Sequence, residues 1–248
     1  MTSVSGAVSS RRYGGSLWAV WLLSASVAAI AVAIAGRLAP LEVFAGAPVT
    51  LSWWMLAPAF YIAEVTVVHL RFHRHAHSFS LSEIPLVLGL FLAAPLHLVV
   101  AQAAGTMAAL AIHRRQIPVK LGFNVAQFSL QTVTAILVFR ALSEGRHPLS
   151  LVSAGATLAA VVAALVVANL LVNTAIRLSG DRLSRSEMGK VVTLGGTAAL
   201  MNGALALGMV HLLWLRPASV PVAILPPIVL YLAYHAYVLQ TQERSQLS

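Results

Sequence analysis

Of the 248 residues, 59% are hydrophobic and only 9% charged, far below the roughly 25% charged content of soluble domains, so lipid is the solvent over most of the chain. The formal charge of +9 comes from 16 Lys and Arg against 7 Asp and Glu. The bases stand in short clusters at the ends of apolar runs, which points to membrane topology and anionic headgroups rather than nucleic acid. The absence of Cys excludes disulfides, thiolate metal sites and a Cys nucleophile.

In chain order, residues 1–15 read as a cytoplasmic N-terminal tail, 16–239 as a single all-α polytopic membrane domain, and 240–248 as a cytoplasmic helical tail. Arg11, Arg12 and the apolar run up to Ala35 imitate a signal peptide. The run from 16 to 35 exceeds the usual apolar region of about 7 to 15 residues and is long enough to span, so an uncleaved helix is expected. Segment 2 (50–70) opens with Trp53 and Trp54 and holds Pro58 and Glu64. Segments 3 (82–94) and 4 (96–112) meet at Pro95 in a short helical hairpin, 82–112, flanked by Arg71, Arg74, Arg114, Arg115 and Lys120. Segment 3 is too short for a perpendicular crossing and is expected to tilt, re-enter or extend through 79–81.

Segment 5 (121–142) is unusually polar, and segment 6 (149–176) carries Asn169 and Asn173 four residues apart, on one helix face. Segments 7 (191–214) and 8 (220–239) complete a bundle of about eight helices, seven if segment 3 re-enters. On this count one side of the membrane receives Arg11, Arg12, Arg71, Arg74, Arg114, Arg115, Lys120, Arg177, Arg182, Arg185, Lys190 and Arg244; the other receives Arg37, Arg140, Arg146 and Arg216. That asymmetry places both termini in the cytoplasm and the protein in the cytoplasmic membrane. Small residues recurring every four positions (Ala101, Gly105, Ala109; Gly155, Ala159, Ala163; Gly195, Ala199, Gly203) mark segments 4, 6 and 7 as closely packed interior helices.

Several residues are candidates for a ligand or signal site. Glu64 is the one carboxylate well inside a span and needs a partner or a proton. Glu83 stands three after Ser80, the spacing of a capping box; its other expected role is a cytoplasmic clamp with Arg114, Arg115 or Lys120. The amide series Gln102, Asn124, Gln127, Gln131, Asn169, Asn173 and Asn202 is read as interhelical hydrogen bonding or, in segments 5 and 6, as the lining of a polar pocket, for which Asn124, Gln127, Asn169 and Asn173 are the candidates. His69 and His73, one helical turn apart, are the weak metal candidates, but the interleaved Arg71 and Arg74 would repel a cation, so no metal site is expected. Phosphate-loop, dinucleotide-binding, HExxH and GxSxG motifs do not occur. Neither a cofactor nor a catalytic constellation is expected.

The wording FSLSEIPLVLGLF at 79–91, HRRQIPVK at 113–120 and FNVAQF at 123–128 resembles the N-terminal membrane sensor region of actinobacterial signalling proteins, which carry GGDEF and EAL cyclic-di-GMP domains or related outputs after the membrane part. The resemblance implies a multi-pass sensory or regulatory module that hands its signal to a cytoplasmic output domain or partner protein, with a homodimer allowed. This chain departs from the pattern in ending at Ser248 without a GGDEF, EAL, HD or kinase motif, so no catalytic residue carries over. The alternative expectation is a small-solute binding component of a membrane transporter.

Overall fold

The computed structural model describes residues 5–44, 46–66, 68–72, 75–180 and 185–219, together with positions 222, 225, 228, 229, 232 and 236. Seven α-helices lie among the described residues: α1 (Ser5–Leu38), α2 (Trp53–Val65), α3 (Glu83–Leu92), α4 (Pro95–Ala108), α5 (Pro118–Ser143), α6 (Leu151–Leu178) and α7 (Arg185–Leu215). Five stretches are long and apolar enough to cross a membrane: Leu17–Leu38, Pro95–His113, Pro118–Ser143, Leu151–Leu178 and Val192–Leu215. This is a helical, multi-pass membrane protein. The segment expected at 220–239 and the tail at 240–248 lie outside the described residues apart from the isolated positions.

The helices begin where their sequences permit. Pro95 and Pro118 occupy the first helical positions of α4 and α5, where a missing N–H is no loss. Ser150 caps α6 by accepting the Ser153 amide at 3.1 Å, satisfying one of the orphan donors of the first turn.

Segment 2 departs from expectation. Helix α2 ends at Val65, and the chain then forms an antiparallel hairpin of β1 (Val68–Phe72) and β2 (His75–Phe79), with Val68 opposite Phe79 and Leu70 opposite His77. The reason is legible in the residues: Val68, Leu70 and Phe72 alternate with His69 and Arg71, a period of two that suits a strand. His69 is therefore on a strand and not on a helix one turn before His73, which lies outside the described residues. The helical spacing behind the metal reading is not present.

Helix α3 also falls short of a crossing. Its ten residues rise about 15 Å at about 1.5 Å each, and eight of them are buried, as expected for a helix that is apolar on every side. Its first residue, Glu83, contacts Asn202 near the middle of the Val192–Leu215 stretch. Its ninth, Phe91, stacks edge-on to Trp214 at 6.2 Å. Helix α3 thus accompanies only the half of α7 nearer Leu215. Helix α2 is likewise short, at 13 residues, and begins beside the end of α3, where the Leu51 amide donates to the Leu92 carbonyl at 2.6 Å. The two are short, opposed helices joined by the hairpin.

The core gathers α3 against α7, α4 and α5, with α6 packed on α5 and α7. At one end an aromatic cluster of Phe44, Phe91, Phe139 and Trp214 pins α3 between α5 and α7, the Phe91 and Phe139 rings lying 4.8 Å apart in an edge-on arrangement, a geometry favoured by the ring quadrupoles. Of the three small-residue stripes, that of α4 is buried: Ala101 and Ala109 are fully enclosed, and a side chain at Gly105 would meet the Ala57 carbonyl and lie 2.8 Å from Phe60 Cβ. The stripe of α6 is different. Gly155 is exposed with open space around it, and α6 instead buries Ser153, Ala156, Thr157, Ala160, Val161 and Ala164.

Gly105→Ala should therefore push α4 off α2 and lower stability by about 1 to 3 kcal/mol, the usual cost of overpacking. Gly155→Ala should be neutral or slightly stabilising, because it replaces Gly by the better helix former without a clash. Thermal unfolding of the full chain in lipid nanodiscs reads both, and equal behaviour of the two variants would refute the close α2–α4 approach.

Candidate functional site

The two acidic residues of the short helices come together where α2 ends and α3 begins. Glu64, on the last turn of α2, is 3% exposed. Its carboxylate accepts from the Ser80 hydroxyl at 2.9 Å and faces an Arg114 guanidinium nitrogen at 3.8 Å. Arg114 also donates to the Glu64 carbonyl at 2.7 Å, tying side chain and backbone together. Glu83 opens α3, and Asn202 of α7 divides its amide N–H groups between the Glu83 carboxylate at 2.9 Å and the Ser80 carbonyl at 3.1 Å. Ser80 is the hinge of this network, since its hydroxyl contacts Glu64 and also accepts the Ser82 amide at 3.1 Å.

Arg114 reaches Glu64 because α4 does not end as a regular helix. Residues Ala109–His113 form a π-helical turn, and the Arg114 amide bonds back to Ala109. Arg115 follows with a φ of 46°, a left-handed backbone that a non-glycine residue seldom adopts. The widened turn followed by a reversal sends Arg114 inward and leaves Arg115 and Lys120 exposed. Such turns recur at functional sites.

Beside this network lies a cavity of about 270 Å³ lined by residues of α3, α4, α5, α6 and α7. Its polar wall includes Ser82, Glu83, Gln102, Gln127, Gln131 and Asn169. Gln102, Gln131 and Asn202 all sit near the centres of their apolar stretches, so the polar groups lie at the depth where unpaired polarity is most expensive. Three of the wall's polar groups are engaged accordingly. Gln102 donates to the Thr106 hydroxyl at 3.2 Å, Thr132 to the Phe128 carbonyl at 2.9 Å, and Asn169 to the Leu165 carbonyl at 2.8 Å.

The expected site residues divide clearly. Glu83, Gln127 and Asn169 are brought to one cavity, with Glu64 one hydroxyl away through Ser80. Asn124 is elsewhere, donating to Gln116 at 2.8 Å near the start of α5, and Asn173 is half-buried but off the cavity wall. The clamp expected between Glu83 and Arg114, Arg115 or Lys120 takes another form: Arg114 pairs with Glu64, and Glu83 takes the neutral Asn202. Nor does the Ser80–Glu83 capping box form. Helix α3 starts at Glu83 itself with Ser82 as the flanking residue, and the Ser80 hydroxyl is spent on Glu64 and Ser82. Among the described residues no cluster of three or more His, Cys, Asp or Glu could hold a metal.

Four further contributors, Ser80, Gln102, Gln131 and Asn202, stand outside the expected ligand candidates: Ser80 is expected only as a cap, and the three amides only as interhelical hydrogen-bonding groups. Asn202, Gln102 and Gln131 carried a signal, being amides in mid-span, but nothing in the sequence pairs a residue of α7 with one 119 positions earlier. Compared with known proteins, the chain matches no family model, no curated protein and no solved structure.

Double-mutant cycles in nanodiscs test these pairings. Glu83→Ala with Asn202→Ala, and Glu64→Ala with Arg114→Ala, should each show a coupling of about 0.5 to 3 kcal/mol, as residues in direct contact do. Glu83→Ala with Lys120→Ala should be additive within about 0.5 kcal/mol, as separated sites are. Coupling between Glu83 and Lys120 would restore the clamp and contradict the observed partners.

Proposed function

We propose that this chain is a membrane-embedded sensory or regulatory module that binds a small polar solute in the cavity among α3 to α7 and passes its occupancy to a cytoplasmic output domain or partner. The observation that carries the proposal is the cavity itself. It sits in mid-span and is faced with amides and a carboxyl group beside apolar side chains, a combination of apolar lining and few convergent polar groups that favours ligand binding. At about 270 Å³ it suits a metabolite-sized ligand, being just under the roughly 300 to 1,000 Å³ of pockets that hold larger ones.

The route from ligand to signal runs through α3. This short helix joins the cavity wall at Glu83 and the aromatic cluster at Phe91, and among the described residues its cavity end is held by hydrogen bonds from Asn202 and by no salt bridge. A solute that contacts Glu83 and binds two placements of α3 unequally would shift their populations by its difference in affinity. The resemblance of the 79–91 and 113–128 wording to cyclic-di-GMP sensor regions supports the same reading. A second reading, a small-solute binding component of a transporter, draws on the opposed short helices α2 and α3 beside a mid-span cavity, a device that transporters use.

A panel of small polar solutes, screened by thermal shift on the full chain in nanodiscs, tests the proposal against the Ala168→Phe variant, whose ring would fill the cavity. The expected result is saturable stabilisation of the wild type by one chemical class and none of the variant, with no accumulation of that solute in proteoliposomes. Stabilisation that persists in Ala168→Phe would refute the cavity as the ligand site, and accumulation would favour the transport reading.

A further inference from the structure

The chemistry of the cavity wall selects among solutes. Two of its donor groups are spent on backbone carbonyls, an amide N–H of Asn169 at 2.8 Å and the Thr132 hydroxyl at 2.9 Å. Asn202, just behind the wall, spends its amide on the Ser80 carbonyl and the Glu83 carboxylate. The acceptors these groups leave to the cavity are the amide oxygen of Asn169, the hydroxyl oxygen of Thr132 and the carboxyl group of Glu83. No Lys, Arg or His lines the cavity among the described residues. The nearby base, Arg114, is engaged with Glu64. Glu83 is thus an acid in a mid-span site whose side-chain partner is a neutral amide, where a carboxylate calls for a compensating positive charge.

The remaining wall is apolar, with Leu86, Val161, Leu165 and Val172 and the ring of Phe128. A bare alkali cation would leave most of about 270 Å³ unfilled and make no use of this surface. An organic cation uses both halves, its ammonium donating to the oxygens while its carbon skeleton meets the aliphatic side chains and Phe128, whose ring face attracts cations.

We propose that the cavity takes a small organic ammonium ion, held by Glu83, Asn169 and Thr132 on its charged side and by the Leu86, Leu165 and Phe128 surface on the other. This assignment rests on the cavity being the ligand site of the module. It adds the ligand's charge and shape: one protonated amine, an aliphatic body of a few carbons, and no carboxylate or phosphate, which Glu83 would repel.

The probe series is n-butylammonium, 1-butanol, butyrate and potassium chloride, titrated by thermal shift against the full chain in nanodiscs. Butylammonium should stabilise the wild type saturably, and the other three should not at equal concentration. Glu83→Gln should weaken butylammonium roughly tenfold or more, the size of one charge-assisted hydrogen bond. Gln131→Lys, which sets a tethered ammonium on the same wall, should abolish its effect and keeps the proposal open to test if Glu83→Gln does not fold. Equal stabilisation by 1-butanol or butyrate, stabilisation by potassium chloride alone, or full butylammonium binding in Gln131→Lys would overturn the ammonium assignment. If one of those other solutes loses its effect in Ala168→Phe, the ligand site stands and only the charge class falls. If no solute distinguishes the wild type from Ala168→Phe, the ligand site and the ammonium assignment fall together.

Discussion

A carboxylate inside a helical membrane bundle must be compensated, since an unpaired charge at the centre of a span costs about 2.5 to 3.5 kcal/mol even on lenient scales. This chain brings two such groups, Glu64 and Glu83, to one place and supplies a single base between them. Arg114 goes to Glu64, whose backbone carbonyl it also holds. Glu83 receives a neutral amide. The surrounding architecture follows from that division: the π-helical turn that aims Arg114 inward, the Ser80 hydroxyl that links the two acids' neighbourhoods, and Asn202 reaching across from α7.

The same constraint accounts for the two short helices. Backbone groups between Val65 and Glu83 cannot stay unpaired at membrane depth, and the strands β1 and β2 pair with each other in an antiparallel ladder. Ser80 and Ser82 bridge the remaining gap by side-chain and backbone hydrogen bonds. Irregular backbone is tolerable where it is buried in protein or lines a cavity, and Ser80, Ser82 and Glu83 line the cavity.

Much of the fold was legible in the residues because apolar runs report membrane helices directly. The expected runs at 16–35, 96–112, 121–142 and 191–214 each fall within a described helix, α4 together with its π turn, and the run at 149–176 enters α6 at Leu151. The run at 50–70 was overextended because its hydrophobicity was read at the helical period, while Val68, Leu70 and Phe72 repeat at the period of a strand. The site was legible in part. Glu83, Gln127 and Asn169 stood out as polar groups in apolar surroundings, and burial in lipid gives such groups a reason to converge. Their partners did not stand out, because pairing is a property of helix packing: Arg114 was assigned to the wrong acid by topology alone, which places ends on a common side but cannot rank distances within it. Likewise Gly155 and Gly105 look alike in sequence, and only the approach of α2 at Ala57 and Phe60 tells the buried one from the exposed one.

The different anchoring of the two acids has a mechanical consequence. At its Phe91 end α3 is wedged among Phe44, Phe139 and Trp214, with the Phe91 and Phe139 rings fully buried in the core. At its Glu83 end it is held by hydrogen bonds across helices, and in membrane proteins such bonds contribute only about 0.6 to 2 kcal/mol each. A displacement of α3 would therefore begin at the cavity and pivot near the aromatic cluster. Helix α2 cannot follow freely, since Gly105 locks it against α4 and Arg114 ties its last turn to the end of α4. Relative motion between α3 and the α2–α4 pair would strain Ser80, whose hydroxyl and carbonyl contact both sides. Ser80 thus joins a fixed acid to an adjustable one, and that asymmetry allows a small change in the cavity to be felt at the end of α4, where Arg114 meets the exposed, basic turn of Arg115 and Lys120.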